Sequence, residues 1–374
     1  MAAGEASGDL LASLVLPALK ARLGACECAG IGGDRMRAEG FETWWHVREL
    51  SVRGYAEVLR HLPRLLRIRR ELMGRTVAWP ARVYVGIDAP DFNLGVHEKL
   101  RARGVHTIQY VAPAVWAWRP ERIAQVARGV EHLLPVLPFE EKIFADAGIR
   151  TTYVGHPLAA AVPPHADARA ARARLNINAG ATTIALLPGS RRAEVSHLGP
   201  PFVATIGWMQ RHDPTMQFVL PAASDELRSV LLTMLEEARV DQANVRIMQG
   251  RSHDCLEAAD VVLVAGGTAT LEAMLFGKPM VIAYKVPWLT EWITRRKALI
   301  PYFGLPNILA GTHVVPEFVQ DDVEPGHLGP ALLDFLGDHA RVSALRERFA
   351  AMRATLQRDT PGLVAEAIAE AVRK

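Results

Sequence analysis

Residues 260–284, DVVLVAGGTATLEAMLFGKPMVIAY, restrict the fold of this chain more than any other segment. The segment opens with a short apolar run rich in β-branched residues, Val261–Ala265, which is typical of a buried parallel strand. Gly266 and Gly267 then permit a tight turn, and Thr268 is predicted to cap a helix before a second apolar run returns as a strand. Two such strands joined by a helix imply an α/β fold.

This strand–turn–helix junction is a candidate anion site. Amide groups at a helix N-terminus point at the ligand, and the helix dipole favours negative charge there. Glu272 lies one helical turn past Thr268, where its carboxylate could accept hydrogen bonds from sugar hydroxyls. The segment contains neither G-x-x-x-x-G-K-[ST] nor G-x-G-x-x-G, so it is neither an ATPase loop nor a dinucleotide fingerprint. An ordinary strand-to-helix corner is the alternative.

The composition indicates a globular protein of two domains. A length of 374 residues exceeds one ordinary core, and 50% of the residues are hydrophobic against 22% charged. A net charge of +3 gives no general case for nucleic-acid binding. No apolar run reaches the roughly 18 residues of a spanning helix, and no secretory signal is visible. The three cysteines suggest neither a disulfide framework nor a zinc site, so we expect a cytoplasmic protein.

Two acidic residues follow a predicted strand in the first half of the chain. The strand is the apolar run at 83–87, and Asp88 and Asp91 come after it, where open α/β sheets bind ligands. Either carboxylate could act as a general base, and a cap on the following turn is the alternative. In the segment AVWAWRPER, Trp118 and Arg119 could stack on a sugar or could belong to the core and its rim.

Residues 55–75 form a predicted amphipathic helix with an excess of positive charge. Apolar residues mostly share one stripe, and arginines with one histidine populate the rest against only Glu57 and Glu71. A basic amphipathic helix is typical of a surface that meets anionic lipid. A surface helix with a solvated basic face is the alternative.

The second half of the chain repeats the alternation of strands and helices. An Ala- and Pro-rich stretch at 158–172 is predicted to link the two domains. The turn LPGSRRAEV is a second candidate anion site, because it offers backbone amides and because Arg191 and Arg192 can neutralise a diphosphate. In the irregular segment 304–322, three side chains can hydrogen-bond a ligand: Asn307, Glu317 and Gln320.

The predicted fold is α/β, with two doubly wound halves whose ligand groups face one crevice. We assign residues 1–160 to an N-terminal domain, 161–340 to a C-terminal domain, and 341–374 to terminal helices that cross back to the first domain. The segment GEASGD begins at residue 4, although such a segment normally follows a strand. We therefore expect the first strand of the first sheet to be missing or reduced.

Ten short motifs, which follow one another along nearly the whole chain, resemble those of the lipid-A-disaccharide synthases. They are GEASGD (4–9), GIDAPDFN (86–93), VWAWR (115–119), LPFE (137–140), GHPL (155–158), LPGSR–EV (187–195), GGTATLEA (266–273), GKPMVIAYK (277–285), LPNILAG (305–311) and VPEFVQDD (315–322). GIDAPDFN and VWAWR belong to that family and not to glycosyltransferases at large.

The resemblance implies a GT-B glycosyltransferase, in which two Rossmann-like domains face a central cleft and the C-terminal domain binds the UDP-sugar. It implies transfer of 2,3-diacylglucosamine from UDP-2,3-diacylglucosamine to 2,3-diacylglucosamine 1-phosphate, which forms the β-1,6-linked lipid A disaccharide 1-phosphate and UDP with inversion. It also implies a peripheral enzyme on the cytoplasmic face of the inner membrane of a Gram-negative bacterium, with no metal or other cofactor. Residues 55–75 would then meet the anionic membrane surface.

The same resemblance assigns roles to individual residues. Asp88 is the expected base, Asp91 is the reserve, and Glu5 lies on the same side of the cleft. The other acceptor-side residues are Ser7, Asp9 and Trp118. Residues expected to bind the donor are Arg191, Arg192, Gly266, Gly267, Thr268, Glu272, Asn307, Glu317 and Gln320.

Three other functions fit parts of the pattern: N-acetylglucosaminyl transfer to a lipid-linked acceptor, UDP-N-acetylglucosamine epimerisation, and non-catalytic binding of a UDP-sugar. The first would also use a basic apolar surface, and the second needs no membrane surface. GIDAPDFN and VWAWR argue against both. A binding protein would release no UDP and would keep its nucleotide affinity without Asp88.

Overall fold

The computed structural model describes residues 1–50, 55–164, 166–287, 291 and 298–374. The chain divides into two compact units. The N-terminal unit comprises Met1–Ala160 and Thr355–Lys374, and the C-terminal unit comprises Ala161–Ala354. Within the described ranges, each unit is built around one six-stranded parallel sheet.

The sheet of the N-terminal unit has the strand order β3-β2-β1-β4-β5-β6. Its strands are β1 (Ala2–Ala3), β2 (Ala29–Gly32), β3 (Glu42–His46), β4 (Val83–Ile87), β5 (His106–Tyr110) and β6 (His132–Leu134). The order reverses between β1 and β4. Open α/β sheets bind ligands outside the carboxyl ends of their strands at such a switch point.

The sheet of the C-terminal unit repeats this pattern, with the order β12-β11-β10-β7-β8-β9. Its strands are β7 (Thr183–Leu187), β8 (Gln217–Ala222), β9 (Val245–Gln249), β10 (Val261–Ala265), β11 (Met280–Tyr284) and β12 (Glu317–Val319). Here the switch point lies between β10 and β7. The two sheets confirm the prediction of an α/β protein with two Rossmann-like, doubly wound domains.

Helices connect the strands in both units. In the N-terminal unit and at its border they are α1 (Ala6–Leu23), α2 (Asp34–Ala38), a 3₁₀ turn (Val47–Glu49), α3 (Tyr55–Ala78), α4 (Pro90–Arg101), α5 (Arg122–Gly129), α6 (Pro138–Asp146) and α7 (Pro157–Ala161). The remaining helices are α8 (Ala168–Arg174), α9 (Arg192–His212), α10 (Asp225–Glu237), α11 (Ser252–Ala258), α12 (Thr268–Leu275), α13 (Leu305–Ala310), a 3₁₀ turn (Gln320–Asp322), α14 (Pro325–Gly337), α15 (His339–Leu356) and α16 (Thr360–Arg373).

Strand β1 is only two residues long, yet it lies at the centre of its sheet. Ala2 pairs with Ile31 of β2 on one side and with Gly86 of β4 on the other. The side-chain amide of Asn93 also donates to the Ala2 carbonyl, at 3.2 Å. The loop that begins at Gly4 therefore leaves the sheet at the switch point.

Strand β10 shows why strands of the C-terminal sheet appear in the sequence as apolar runs. All five residues of Val261–Ala265 are buried, and the strand pairs with β7 on one side and β11 on the other. Helices cover both faces of a parallel sheet, so its strands lack the alternation of an exposed sheet. Each fully buried Val or Leu side chain contributes roughly 1.5–3 kcal/mol to stability.

The chain returns to the N-terminal unit at Thr355, and α16 packs against α1. Glu370 of α16 forms an ion pair with Arg150, at 2.7 Å, and Arg82 donates to the carbonyl of Val372, also at 2.7 Å. The last helix is therefore part of the N-terminal unit.

Candidate active site

A pocket of about 530 Å³ lies outside the carboxyl ends of the strands at the switch point of the C-terminal sheet. Its walls include the turn after β7 and the turn after β10. The pocket brings together five of the nine residues predicted to bind the donor: Arg191, Gly266, Gly267, Thr268 and Glu272. The glycine turn at the centre of the sequence argument thus lies where a doubly wound sheet binds ligands.

The turn after β10 depends on a glycine. Gly267 has a φ of 131°, a conformation that residues with a side chain rarely adopt. Gly267 is the N-cap of α12, so the prediction that Thr268 caps this helix is wrong by one residue. Thr270 supports the turn by donating from Oγ1 to the Gly267 carbonyl, at 2.7 Å. Thr268 and Ala269, whose first-turn amides have no partner within the helix, line the pocket.

Glu194 contacts the second predicted anion-binding turn. Its Oε2 accepts a hydrogen bond from the Ser190 amide at 3.0 Å, and its Oε1 accepts one from the Arg191 guanidinium. Because a carboxylate already bonds to this amide and guanidinium, the turn has the chemistry to bind an anion. Sequence analysis missed Glu194, although its position three residues beyond Arg191 is the spacing of a helical ion pair.

Arg192 and Glu272 occupy different surroundings. Arg192 is 77% exposed, forms an ion pair with Glu226 at 2.6 Å, and does not line this pocket. Glu272 lines the pocket and lies 3.5 Å from Nε2 of His253. The hydrogen bond to Glu272 is the largest cause that raises the pKa of His253, against the opposing effect of burial. A ligand hydroxyl at Glu272 would therefore approach a carboxylate already oriented by an imidazole.

Asn307 and Glu317 hold the loop beside the pocket together. Asn307 is fully buried, and its Oδ1 accepts hydrogen bonds from two backbone amides, those of Val314 and Val315. Its Nδ2 donates to Oε1 of Glu317 at 2.7 Å. Glu317 in turn accepts from the amides of Phe303 and Gly304, at 2.8 and 2.9 Å. Both side chains therefore bond to the protein and hold the segment 303–315, which contains α13.

Gln320 lines a separate pocket of about 540 Å³ in the same unit, together with Tyr284 and Phe303. Its Oε1 accepts from the Val286 amide at 2.8 Å, and its Nε2 donates to the Val286 carbonyl at 3.0 Å and to Glu291 at 2.9 Å. The amide group thus forms a two-point bridge to the backbone after β11.

In the N-terminal unit, the turn after β4 has a strained backbone. Asp88 and Ala89 have φ values of 52° and 44°, in the left-handed region. This conformation costs a residue with a side chain roughly 1–2 kcal/mol. Gly4, which follows β1, lies so near that a Cβ on it would be 2.2 Å from Cβ of Ala89. The loops on both sides of the switch point therefore meet at Ala89, next to Asp88, which is half-buried.

A buried polar network supports this turn. The carbonyl of Asp88 accepts hydrogen bonds from Nδ2 of Asn93 at 2.9 Å and from Nε2 of Gln109 at 3.0 Å. Tyr84 donates to Oδ1 of Asn93 at 2.7 Å, and Oε1 of Gln109 lies 2.9 Å from Nε2 of His97. Burial lowers the pKa of His97 to about 4, so the ring is neutral and donates from Nε2. Sequence analysis missed Gln109 and His97.

Asp91 contacts two arginines. Its Oδ1 accepts hydrogen bonds from Nη1 of Arg119 at 3.2 Å and from Nη2 of Arg122. Cζ of Arg119 lies 4.0 Å from the ring centroid of Trp118. The Asp91 carboxylate is therefore engaged by two guanidinium groups at the start of α4.

The three residues predicted around the start of α1 differ in burial. Glu5 precedes the helix and is half-buried, and Ser7 is exposed in the first turn. Asp9 is buried, and its carboxylate accepts three hydrogen bonds of 2.7–3.1 Å from backbone amides at the start of α2: those of Gly33, Arg35 and Met36. Asp9 therefore stabilises the N-terminus of α2.

Helix α3 contains the basic segment. Ile68 and Leu72 are buried in the core, whereas Leu62 and Leu66 are 39% and 41% exposed. Several arginines share the exposed surface, namely Arg64, Arg67, Arg70 and Arg75. The side chains of 55–60, which include two charged residues of the predicted pattern, lie outside the described residues.

The described ranges lack two further features. No helix there is both long and apolar enough to cross a bilayer. Likewise, the part of the chain that the structure describes contains no group of three or more His, Cys, Asp or Glu side chains placed to hold a metal ion.

Two solved structures illustrate the fold of this chain. A UDP-GlcNAc 2-epimerase from Neisseria meningitidis, bound to UDP-GlcNAc, has a TM-score of 0.61 at 10% identity and matches 97% of this chain and 96% of its own. MurG from Acinetobacter baumannii has a TM-score of 0.58 at 14% identity, with 99% and 98% covered. At these identities the likeness concerns the fold, which is GT-B.

Sequence comparison identifies the family. A lipid-A-disaccharide synthase from Cupriavidus pinatubonensis is 49% identical over 374 residues, which cover all of this chain and 92% of the relative. A lipid-A-disaccharide synthase from Burkholderia mallei is 45% identical over 373 residues, with 100% and 96% covered. The family profile described as lipid-A-disaccharide synthetase matches residues 1–368. The chain therefore belongs to the lipid-A-disaccharide synthetase family.

Proposed function

We propose that this chain transfers 2,3-diacylglucosamine from UDP-2,3-diacylglucosamine to the 6-hydroxyl of 2,3-diacylglucosamine 1-phosphate. The products are the β-1,6-linked lipid A disaccharide 1-phosphate and UDP. The observation that carries this proposal is membership of the family over residues 1–368. The two switch-point sites, one suited to an anion and one bearing a carboxylate, are compatible with a donor side and an acceptor side.

Asp88 is the proposed general base. The donor is an α-linked UDP-sugar and the product is β-linked, so the acceptor oxygen attacks the anomeric carbon on the face opposite UDP. The new C–O bond forms while the bond to the diphosphate oxygen breaks, and the hydroxyl proton passes to the base. Asp88 lies at the switch point of its sheet on a turn held by Asn93 and Gln109. Asp91, the reserve candidate, instead forms ion pairs with Arg119 and Arg122.

The C-terminal unit is the proposed donor site. There, the departing diphosphate would be stabilised by Arg191 and the amides of the 266–268 turn, and Glu272 would accept hydrogen bonds from the ribose. A diphosphate at this position would take over the guanidinium that Glu194 contacts. Asn307, Glu317 and Gln320 would act by holding the surrounding loops, and Arg192 would contribute through its positive charge.

The acceptor side belongs to the N-terminal unit in this proposal. Glu5, Ser7 and Trp118 would shape the acceptor side. Asp9 would hold its first loop through hydrogen bonds to the start of α2. Helix α3 would rest on an anionic membrane, because it exposes Leu62 and Leu66 among arginines and because both substrates carry acyl chains. The enzyme would then work as a peripheral protein at the cytoplasmic face of the inner membrane.

The test is UDP release by the purified protein with both substrates in detergent, beside Asp88→Asn. Asparagine tolerates the left-handed backbone of this position but cannot accept the proton, whereas alanine would also strain the turn. We expect kcat to fall by roughly 10²–10⁴-fold with UDP binding unchanged. Asp146→Asn, on the surface of α6, is the matched control and should keep full activity. UDP release by wild type that does not need the acceptor would contradict the proposed transfer.

A further inference from the structure

Asp91, Arg119 and Arg122 form a cluster that has one more positive charge than negative charge. Both guanidinium groups converge on one oxygen, Oδ1 of Asp91. Arg122 is only 11% exposed, whereas the Asp91 carboxylate is 75% exposed and keeps most of its hydration. Two partly desolvated positive charges thus share one solvated negative charge, and Glu121 adds only a smaller attraction.

Burial affects the pKa of Arg122 more strongly than the charge of Asp91 does. Burial is the largest influence on the pKa of Arg122 and lowers it from its ordinary value, although Asp91 and Glu121 oppose this and Arg119 reinforces it. A second anion between the two guanidinium groups would therefore relieve an electrostatic cost that the protein carries.

The geometry of the cluster suits a phosphate attached to a sugar. Guanidinium groups are planar forks that match phosphate oxygens, and a phosphate monoester offers more acceptor oxygens than the carboxylate of Asp91. Trp118 stacks against the cluster, with Cζ of Arg119 at 4.0 Å and Cζ of Arg122 at 5.8 Å from its ring centroid. The apolar face of the indole is a surface against which the apolar face of a sugar ring can pack.

The cluster is also close to the proposed base. Asp91 lies in the first turn of α4, three residues beyond Asp88. Arg119, which precedes α5, and Arg122, its first residue, both reach this helix start. We propose that Arg119 and Arg122 bind the phosphate of the acceptor, with Trp118 against its sugar ring and Asp91 as the group that this phosphate displaces. This assignment rests on the proposed function, because it takes the acceptor to be a sugar phosphate.

Kinetics with two acceptors test the assignment. One is 2,3-diacylglucosamine 1-phosphate, and the other is the methyl glycoside of the same sugar, which lacks the phosphate. For Arg119→Gln and Arg122→Gln we expect the KM for the phosphorylated acceptor to rise about tenfold or more, with the KM for the donor unchanged. The kcat/KM for the methyl glycoside should be unchanged, and Arg122→Lys should restore part of the loss.

Arg128→Gln is a matched control. Arg128 also links α5 to α4, through Nε to Oε1 of Glu98 at 3.1 Å, but on the exposed surface. It should leave both acceptors unaffected. If the glutamine variants lowered kcat/KM equally for both acceptors, the cluster would be a structural clamp and the proposal would fail. Equal use of both acceptors by wild type would also overturn it.

A binding measurement separates this inference from the proposed function. Soluble glucosamine 1-phosphate and glucosamine are titrated into the folded protein by ligand-observed NMR. The inference requires that the phosphate ester bind at least about tenfold more tightly, that Arg119→Gln abolish the difference, and that Arg128→Gln keep it. Absence of UDP release together with this binding pattern would refute the transferase reaction but not the phosphate site. Equal binding of the two sugars would refute the site even if the enzyme is active.

Discussion

The backbone at Asp88 and Ala89 adopts a conformation that neither residue favours by itself. It persists because Asn93 and Gln109 donate hydrogen bonds to the Asp88 carbonyl from the far side of the turn. The side chains of Asn93 and Gln109 are fully buried, so breaking either hydrogen bond would leave an unsatisfied polar group, at a cost of about 1–3 kcal/mol. The network holds the backbone of Asp88 and so fixes the direction in which its side chain leaves the turn, which suits a group that must meet one hydroxyl.

The two adjacent arginines of the LPGSRR turn should behave differently. Arg191 lines the pocket and contacts Glu194, whereas Arg192 forms an exposed ion pair with Glu226. We expect Arg191→Gln to weaken UDP binding roughly tenfold to a hundredfold, because it removes a charge-assisted hydrogen bond to the diphosphate. Arg192→Gln should change UDP affinity less than threefold, by about 0–0.5 kcal/mol. Calorimetric titration with UDP measures both, and equal losses would contradict the assignment.

Glu140 should make stability depend on pH. Its carboxylate is buried and accepts from Nε1 of Trp116 at 3.0 Å and from the Leu137 amide at 3.1 Å, and burial raises its pKa to about 7. A raised carboxyl pKa means that the contribution to stability is full below about pH 4.5 and is lost as pH rises through about 7. In urea unfolding, the stability of wild type relative to Glu140→Gln should fall by about 3 kcal/mol between pH 4.5 and 8. A difference that is independent of pH would contradict this.

Several side-chain roles depend on partners that are distant in sequence. Asp9 is bonded by amides near residue 33, and Gln109 reaches the turn at Asp88. A sequence shows that a carboxylate or amide is present but not which backbone groups it bonds to, so the partners of Asp9 and Gln109 could not be predicted. A usable signal did exist for Gln109, because a polar side chain within the apolar strand HTIQY must find partners when it is buried.

At the scale of elements, buried strands and their turns were the most predictable part. The predicted strands at 83–87 and Val261–Ala265 have the same bounds in the structure as β4 and β10. Uninterrupted apolar runs that end at Gly, Asp or Pro leave little freedom in where a strand begins and ends. The predicted helix at 55–75 extends to Ala78, and its core contacts come from Ile68 and Leu72 but not from Leu62 or Leu66. Tertiary packing decides which part of a stripe is buried.

The exposed surface of α3 should attract anionic vesicles. We expect the triple variant Arg64→Ser, Arg67→Ser, Arg70→Ser to bind vesicles of phosphatidylglycerol and phosphatidylcholine at least about tenfold more weakly, since each basic residue near an anionic surface contributes roughly 1 kcal/mol. Cosedimentation measures the change. The control removes three exposed arginines of the C-terminal unit, and it should keep wild-type binding: Arg211, Arg228 and Arg348. Equal binding by the two triple variants would refute a specific role for α3.

At the scale of the molecule, the chain uses one sheet order twice. Each unit has a reversal of strand order at which its proposed ligand groups lie: Asp88 in one, and Arg191 with Gly266–Thr268 in the other. This arrangement could be predicted, because it follows from two runs of alternating strands and helices. The pairing partners at each reversal depend on sheet order, which a single sequence does not specify.

UDP should protect one unit preferentially. A ligand at about 100 times its Kd stabilises the state that binds it by roughly 2.7 kcal/mol. In hydrogen–deuterium exchange we expect saturating UDP to slow exchange in the C-terminal unit, most strongly at the turns after β7 and β10. The Arg191→Gln variant at the same UDP concentration should show less protection. Protection confined to the N-terminal unit would place the nucleotide elsewhere.

The return of the chain at Thr355 has a consequence for biosynthesis. The N-terminal unit needs α16, which packs on α1, yet all of Ala161–Ala354 lies between them in sequence. At about 5–20 residues per second, a ribosome needs roughly 10–40 s to make that intervening segment. During this interval the first 160 residues have been made but α16 has not. The C-terminal unit, by contrast, is continuous in sequence and is complete once Ala354 has been made. The unit made first is therefore the one completed last.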